Sequence, residues 1–405
     1  MKPAIVVRNL SKQYRVGKGL TSLREMFTTR KGNLTKKYRW VVKDVCFEVE
    51  PGESLGIIGP NGAGKTTILK ILSRVTKPTL GEISVNGRIS ALIELGAGFH
   101  PDLTGRENIF LNGAILGMRR SEIKSKFDEI IDFAGIGEYL DTPVKRYSSG
   151  MYARLGFAIA AHVNPRVLLV DEVLAVGDFS FQMKCYALMD KLRKNGTSLI
   201  FVSHNMDAVR RVCDRGLVMY RGEAIFNGKA AEAVVAYSDA IRESARKKQA
   251  EVPDEDGISQ RVMTFDMEIE RVSLLNEADQ IVTSLPTGSR AKIVLDVKSH
   301  KEVKQPVFSL VIRTPDGMVV YDTMTRWMEL PTPDFYPGDR HRIEFSLLLP
   351  LLSGTYEVGI DIVSSDISHF YDYMERALAF SVISSKRAQG LVDLGTSITF
   401  QKLTP

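Results

Sequence analysis

Residues 59–67 read Gly-Pro-Asn-Gly-Ala-Gly-Lys-Thr-Thr, and no other stretch restricts the fold of this chain so strongly. A glycine, four residues and then Gly-Lys-Thr is the phosphate-loop pattern, which requires a buried strand before it and a helix after it. Both flanks are present. Ser54-Leu55-Gly56-Ile57-Ile58 is an apolar run of strand length, and Ile68-Leu69-Lys70-Ile71-Leu72 reads as the first turns of a helix. Gly59, Gly62 and Gly64 let the backbone fold tightly, so that successive amide N–H groups point inward at phosphate oxygens. The helix N-terminus adds partial positive charge. In such a loop Lys65 reaches the β- and γ-phosphates, and the Thr66 hydroxyl holds Mg²⁺. The expected phosphate contacts are therefore Gly59, Asn61, Gly62, Ala63, Gly64, Lys65, Thr66 and Thr67.

A second motif, Val167-Leu168-Leu169-Val170-Asp171-Glu172, follows about a hundred residues later. Four apolar residues predict a central parallel strand buried on both faces, and open α/β sheets bind ligands at the carboxyl ends of such strands. Asp171 suits the Mg²⁺ shell, and Glu172 suits a general base that polarises the attacking water.

Between the two lies Tyr147-Ser148-Ser149-Gly150-Met151, ahead of a small-residue helix. With it the chain resembles the ABC transporter ATPases, whose usual motif here is Leu-Ser-Gly-Gly-Gln. Ser148 and Gly150 are retained, whereas Tyr147, Ser149 and Met151 depart from it. The resemblance implies that Ser148 and Gly150 grip a γ-phosphate across a dimer interface. On residue chemistry alone, Ser148 or Ser149 also reads as an ordinary helix cap. Ala175-Val176-Gly177-Asp178 looks like the D-loop of that family. Phe201-Val202-Ser203-His204-Asn205 looks like its switch strand, with His204, 32 residues past Glu172, on the γ-phosphate. Lys12-Gln13-Tyr14 looks like its aromatic loop, with Tyr14 stacking on adenine. One position departs further: Ser90–Phe99 lacks the Gln the family usually carries, and Glu94 or Leu95 falls near it. Glu94 is open to two readings, a metal-loop substitute or a solvated acid. This Leu-Gly version, with Leu103–Asn108 in register after it, resembles the subfamily that exports finished polysaccharides.

The chain has 405 residues, enough for two or three domains. No run of 18 apolar residues is present, so a membrane span is not expected, and Met1–Arg8 shows no secretory h-region. Cys46, Cys185 and Cys213 are scattered, without metal spacing, and fit a reducing compartment. Of 54 Lys and Arg and 48 Asp and Glu, residues 1–45 hold 12 and 2. Much of that excess lies in Gly17–Arg39, around Leu23, Met26 and Phe27 on one side of a short amphipathic stretch. Contact with anionic lipid or a lipid-pyrophosphate and a solvated insertion are the two readings. Nucleic acid is not an expected partner, because no base-reading module accompanies the basic stretch.

The composition changes near residue 240. Ala230–Lys248 reads as a helix, and Gln249–Gly257 has linker composition. Beyond it, apolar and polar residues alternate in short runs: Ala291–Val297, Pro306–Arg313, Met318–Tyr321 after Pro315-Asp316-Gly317, His341–Leu347, Gly354–Ile362, Ala377–Val382 and Gly390–Leu394. Seven or eight strands in about 145 residues fit a β-sandwich. This half resembles the carbohydrate-binding domain fused to ATPase subunits of O-antigen exporters of the Wzt type. That resemblance implies an immunoglobulin-like domain that dimerises by exchanging its last strand and recognises the glycan end. Sugar sites need aromatic faces and polar groups, which makes Tyr321, Arg326, Trp327, Asp366, His369 and Tyr371 the candidate glycan contacts.

The expected architecture is an α/β P-loop NTPase domain of ABC type over 1–248, a linker over 249–257 and an all-β immunoglobulin-like sandwich over 258–405. The expected activity is an ATPase at the cytoplasmic face of the inner membrane, with ATP and Mg²⁺. Glu172, His204 and Lys65 are its catalytic residues and Thr66 and Asp171 its metal ligands. Tyr14, Ser148, Gly150 and Asp178 complete the nucleotide contacts. The expected partners are a second copy, a separate transmembrane permease and a lipid-linked polysaccharide. The alternatives are export of capsule or teichoic acid, or a mainly sugar-binding module with a weak ATPase.

Overall fold

A computed structural model describes residues 2–16, 37–92, 98–171, 179–203, 205–250, 263–384 and 388–396. The chain divides into two compact units, Met1–Val234 and Val235–Pro405.

The strands of the first unit are β1 (Ile5–Val16), β2 (Lys37–Val49), β3 (Ser54–Ile58), β4 (Leu80–Val85), β5 (Ile89–Leu92), β6 (Val167–Val170), β7 (Ser198–Val202), β8 (Arg215–Tyr220) and β9 (Glu223–Lys229). Six of them form one sheet in the order β5-β6-β7-β3-β8-β9. Every pairing in it is parallel except β8 with β9. The residues of β3, β6 and β7 are buried throughout, as expected of central parallel strands covered on both faces. An antiparallel sheet, β2-β1-β4, lies apart from it. Between the two sheets sits α1 (Lys65–Leu72), whose Ile68, Leu69, Ile71 and Leu72 are fully buried with Leu10, Val42, Leu55 and Ile57. Each such burial stabilises by roughly 1.5–3 kcal/mol before entropy is counted.

A helical layer is built from α2 (Gly105–Ile115), α3 (Arg120–Ala134) and α4 (Ser149–Ala161). Ile109, Ile123, Ile130, Leu155 and Ile159 form its core. Thr104 and Glu107 close a reciprocal capping box on α2, and the buried Asn108 amide donates to the carbonyls of His100, Leu103 and Thr104. α5 (Phe179–Lys194) and α6 (Met206–Val212) pack on the main sheet. The division between the units falls within α7 (Ala230–Ala250). Gln249 and Ala250 close this helix, and residues 251–257 of the linker-like stretch lie outside the described residues.

The second unit holds β10 (Met267–Leu275), β11 (Ser284–Pro286), β12 (Ser289–Ser299), β13 (Val307–Arg313), β14 (Val319–Met324), β15 (Arg340–Leu349), β16 (Gly354–Val363) and β17 (Phe370–Ile383). They form a three-stranded sheet, β10-β12-β15, and a five-stranded sheet, β11-β17-β16-β13-β14. One core joins them, with Ile293, Leu295 and Phe345 from the first and Phe308, Leu310, Val358, Ile360 and Phe380 from the second. The β13–β14 hairpin turns through Asp316-Gly317 as read from sequence. The Tyr356 ring is 1% exposed, and its hydroxyl donates to the Leu352 carbonyl four residues upstream at 2.9 Å. This is the tyrosine-corner arrangement that recurs in immunoglobulin-like sandwiches.

Two expectations need correction. Gly390–Leu394 is not a strand. Among the described residues it is tied to the sheet by a bridge from Val392 to Leu351, backbone hydrogen bonds at Leu352 and Asp393, and a hydrogen bond from the Tyr356 hydroxyl to the Leu391 carbonyl. Gly390 at φ 120° breaks the extended run there. The strand expected at Ala377–Val382 begins seven residues earlier, because a bulge opposite Gly359 lets β17 continue along β16 across a stretch whose alternation is interrupted.

Candidate functional site

The parallel order β6-β7-β3 sends the chain out of three neighbouring strands at the same sheet edge. Neighbouring strands are about 4.8 Å apart, so the exits of β6 and β3 are separated by about 10 Å. The 59–67 loop leaves β3 there, Asp171 leaves β6, and Ser203 leaves β7. Three segments distant in sequence are thus brought together.

The loop between β3 and α1 can be built only with glycine at two points. Gly59 has φ 155°, and a Cβ on it would lie 2.1 Å from the Met219 carbonyl oxygen. Gly64 has φ 101°, and a Cβ on it would lie 2.6 Å from the Val41 carbonyl oxygen. Ala63 is buried beneath the loop, while Asn61 and Gly62 are exposed at its tip. Helix α1 starts from Gly64 without a side-chain cap, which leaves its first amides to an anion. Lys65 is 6% exposed, and its ammonium donates to the carbonyls of Gly59 at 2.6 Å and Pro60 at 3.0 Å. A buried ammonium above a row of backbone N–H donors favours phosphate. Thr66 is exposed and Thr67 half-buried. The Thr66 hydroxyl and the half-buried Asp171 carboxylate are hard oxygen donors of the type Mg²⁺ takes. This ion keeps most of its shell in water and phosphate. Among the described residues there is no cluster of three His, Cys, Asp or Glu that could cage a metal.

Asp171 donates its backbone N–H to the Leu92 carbonyl at 3.3 Å. Ser203 is buried and accepts from the Asn205 amide at 3.0 Å, while Asn205 caps α6 through the Ala208 amide. Glu94, Glu172, Asp178 and His204 lie outside the described residues. Tyr14 is on β1, 40% exposed, with the Lys12 ammonium 5.1 Å from its ring centre.

Ser148 and Gly150 belong to the helical layer. The Ser148 hydroxyl caps α4 by accepting from the Met151 amide at 3.2 Å. The departures at Tyr147 and Met151 are packing positions. Both lie against the layer's core, and the Tyr147 hydroxyl donates to the Tyr139 carbonyl at 2.8 Å. Burial pushes the Tyr147 phenol pKa up, so it remains a donor. Ser148 and Ser149 stay exposed at the helix N-terminus.

In the second unit, four of six candidate residues share two adjoining loops. Arg326 donates from Nη1 to the Ser365 carbonyl at 3.2 Å, which joins the 325–330 turn to the 364–369 loop. Trp327 beside it is 61% exposed. Asp366 accepts from the Ser364 and Ser368 hydroxyls and the Ser368 amide, which hold its carboxyl far below the usual range. His369 Nδ1 lies 3.1 Å from the Ser368 hydroxyl. Tyr371 is not on this surface: it is buried in the sandwich core, edge-on to the His369 ring at 5.0 Å. Tyr321 is exposed on the edge strand β14, paired opposite Ile312.

Two buried ionic groups were not anticipated. Arg242 of α7 donates from Nε and Nη2 to both oxygens of Asp372, each at 2.9 Å, and the Asp372 side chain is fully buried. Arg313 pairs with Glu375 at 3.1 Å. Asp361 lies in the same cluster, where burial and then the Glu375 charge push its pKa up to about 7. Asp361 alternates with core residues Ile360 and Ile362, and that pattern reads as a solvated face, so the sequence carried no signal of burial.

Comparison with known proteins assigns both halves. The ABC transporter family model matches residues 42–175, and the Wzt C-terminal domain model matches 259–394. The O-antigen export system ATP-binding protein RfbB of Klebsiella pneumoniae is 45% identical over 223 residues, 53% of this chain and 89% of its own. Its Myxococcus xanthus namesake is 35% identical over 344 residues, 80% of this chain and 78% of its own. The chain belongs to the O-antigen export ATP-binding proteins. Within that ABC transporter family, the first match encloses the phosphate loop, Ser148, Gly150 and Asp171, and the Wzt match encloses Arg326, Trp327, Asp366 and His369. The teichoic acids export ATP-binding protein TagH of Lactiplantibacillus plantarum is 42% identical over 234 residues, 58% of this chain and 64% of its own. A solved ATP-binding subunit of an ABC transporter aligns with 60% of this chain and 92% of its own, at 21% identity and a TM-score of 0.47. No described helix is long and apolar enough to cross a membrane.

Proposed function

We propose that this chain is the ATP-hydrolysing subunit of an exporter that moves a lipid-linked O-antigen polysaccharide across the inner membrane, and that its second unit reads the glycan end. The observation that carries the reading is the fusion, in one chain, of a phosphate-loop ATPase with a sandwich matching the Wzt C-terminal domain. Lys65 and the loop amides hold the phosphates, and Thr66 and Asp171 hold Mg²⁺, which supplies charge neutralisation at the transferred phosphoryl group. Glu172 orients water, His204 and Asp178 contact the γ-phosphate side, and Tyr14 stacks on adenine. Ser148 and Gly150 act on the nucleotide of a second copy, from the exposed N-terminus of α4. The chain works on the cytoplasmic face, against a separate permease.

For glycan recognition, the loops carrying Arg326, Trp327, Asp366 and His369 supply an open indole face and fixed polar groups, the combination that sugar hydroxyls and C–H faces require. Tyr321 lies on the neighbouring edge strand, and Tyr371 supports His369 from below. The test is titration of the purified chain with O-polysaccharide fragments that differ only at their non-reducing end. The reading expects binding that depends on that end and is weakened in Trp327→Ala. Equal binding of all ends would contradict it, and preference for a polyol-phosphate chain would favour the teichoic acid alternative.

A further inference from the structure

A cavity of about 350 Å³ opens in the first unit between α5 and α6, and nothing in the proposed export cycle uses it. Its size is at the lower end of small-molecule sites, roughly 300–1,000 Å³. Met183, Met189, Leu199 and Val212 supply apolar walls, and the Tyr186 ring forms one side.

The charges in the lining are not equivalent. Asp190 accepts from Arg193 at 3.2 Å and from Lys194 at 2.8 Å, and Arg193 also pairs with Asp214 at 2.7 Å. These groups neutralise one another. Arg211 is different. Its guanidinium lies 5.5 Å from the Tyr186 ring centre and 3.7 Å from the Met183 sulfur, with no carboxylate at ion-pair distance among the described residues. Burial pushes the Tyr186 phenol pKa up, so its hydroxyl does not serve as the counter-ion at neutral pH. Arg211 is exposed at the mouth of the cleft, and a guanidinium beside an aromatic ring and a methionine sulfur, with apolar side chains among the lining, suits a ligand with an anionic head and an apolar body.

We propose that this cleft binds a small amphipathic anion, its head on Arg211 and its body against Met183, Met189, Leu199 and Val212. Neither half of such a ligand suffices. The apolar body gains by leaving water, and the head gains a charge-assisted hydrogen bond that a neutral head lacks.

The test uses the full chain labelled at the methionine ε-methyl carbons, with octanoate as probe, and octanol and acetate as its uncharged-body and bare-head controls. Octanoate is expected to shift the Met183 and Met189 methyl resonances saturably, about tenfold more tightly than either control. Arg211→Gln is expected to weaken octanoate about tenfold while leaving octanol unchanged. Ala187→Trp, placed at an exposed position of the lining, fills the cleft without touching the charge and is expected to abolish the shifts. Unmoved Met183 and Met189 methyls would overturn the proposal. So would octanol binding as tightly as octanoate, or octanoate shifts that survive Arg211→Gln at full strength.

Discussion

In the first unit, Gly59, Gly64 and Lys65 sit on a loop whose course leaves no alternative residue, because a Cβ at either glycine collides with a backbone carbonyl. In the second, Arg326 and Trp327 sit on a turn held to its neighbour by one hydrogen bond to the Ser365 carbonyl, with the indole in solvent. The difference fits what each is proposed to bind. A phosphate is the same in every nucleotide and is best held by rigid backbone donors and one buried ammonium. A glycan end varies, and side chains at loop tips can change without disturbing the sheets beneath. Chemistry built into the backbone is therefore written as a motif, whereas recognition carried by loop side chains is not.

The sharpest way to break this contrast is through the chemistry. Glu172→Gln is expected to lower ATP hydrolysis by roughly 10²–10⁴-fold while ATP binding and glycan binding persist. Steady-state phosphate release and nucleotide titration read the two halves of that statement, and near-normal turnover would remove Glu172 from its role.

Next come the supports of the second unit. The chain has two tryptophans, Trp40 in the first unit and Trp327 in the second, so a Trp40→Phe background reports unfolding of the second unit alone by fluorescence. Removing Arg242 strands the fully buried Asp372 carboxylate, and Arg242→Ala is expected to destabilise this unit by about 3–5 kcal/mol. Adding Asp372→Asn to that variant removes the stranded charge and is expected to recover part of the loss. Tyr356→Phe, which deletes only the corner hydroxyl, is expected to cost about 1 kcal/mol, and urea midpoints order the three variants.

The Arg313, Glu375 and Asp361 cluster, with Asp322 near it, ties stability to pH. A carboxyl whose pKa is raised on folding contributes stability that is complete below its unfolded value and is lost as pH rises through the folded one. For Asp361 that window runs from 3.8 to about 7. Asp361→Asn is expected to stabilise the second unit by roughly 2–4 kcal/mol at pH 8, with the gain shrinking toward pH 4. A gain independent of pH would show that Asp361 does not titrate there.

A smaller effect than these charge changes is expected at the proposed glycan surface. Trp327→Ala is expected to weaken glycan binding by roughly 1–2 kcal/mol, about 5–30-fold, without moving the urea midpoint read by circular dichroism, because the ring is mostly in solvent.

How much of this was legible depended on where each feature's cause lies. The phosphate loop, β3, β6 and Asp171 were readable because spacing and apolar runs encode them locally. The sandwich was readable because alternation along β12, β13, β15 and β16 marks a half-buried sheet. Arg242 with Asp372, and Arg313 with Glu375, join residues 130 and 62 positions apart, and nothing local distinguishes such charges from solvated ones. Tyr371 looked like a loop aromatic because it follows Ser364–His369, yet β17 starts at Phe370 and turns its ring into the core. The last expected strand, Gly390–Leu394, failed because an apolar–polar alternation of five residues does not outweigh a left-handed glycine at its start.

The division of labour is tested most directly by measuring ATP and glycan binding together on two full-length variants. Lys65→Ala is predicted to lose ATP binding and keep the wild-type affinity for the glycan end. Arg326→Ala combined with Trp327→Ala is predicted to do the reverse. If either variant loses both ligands while its urea midpoint stays at the wild-type value, or if the double variant still binds the glycan at full strength, the two-region account is wrong.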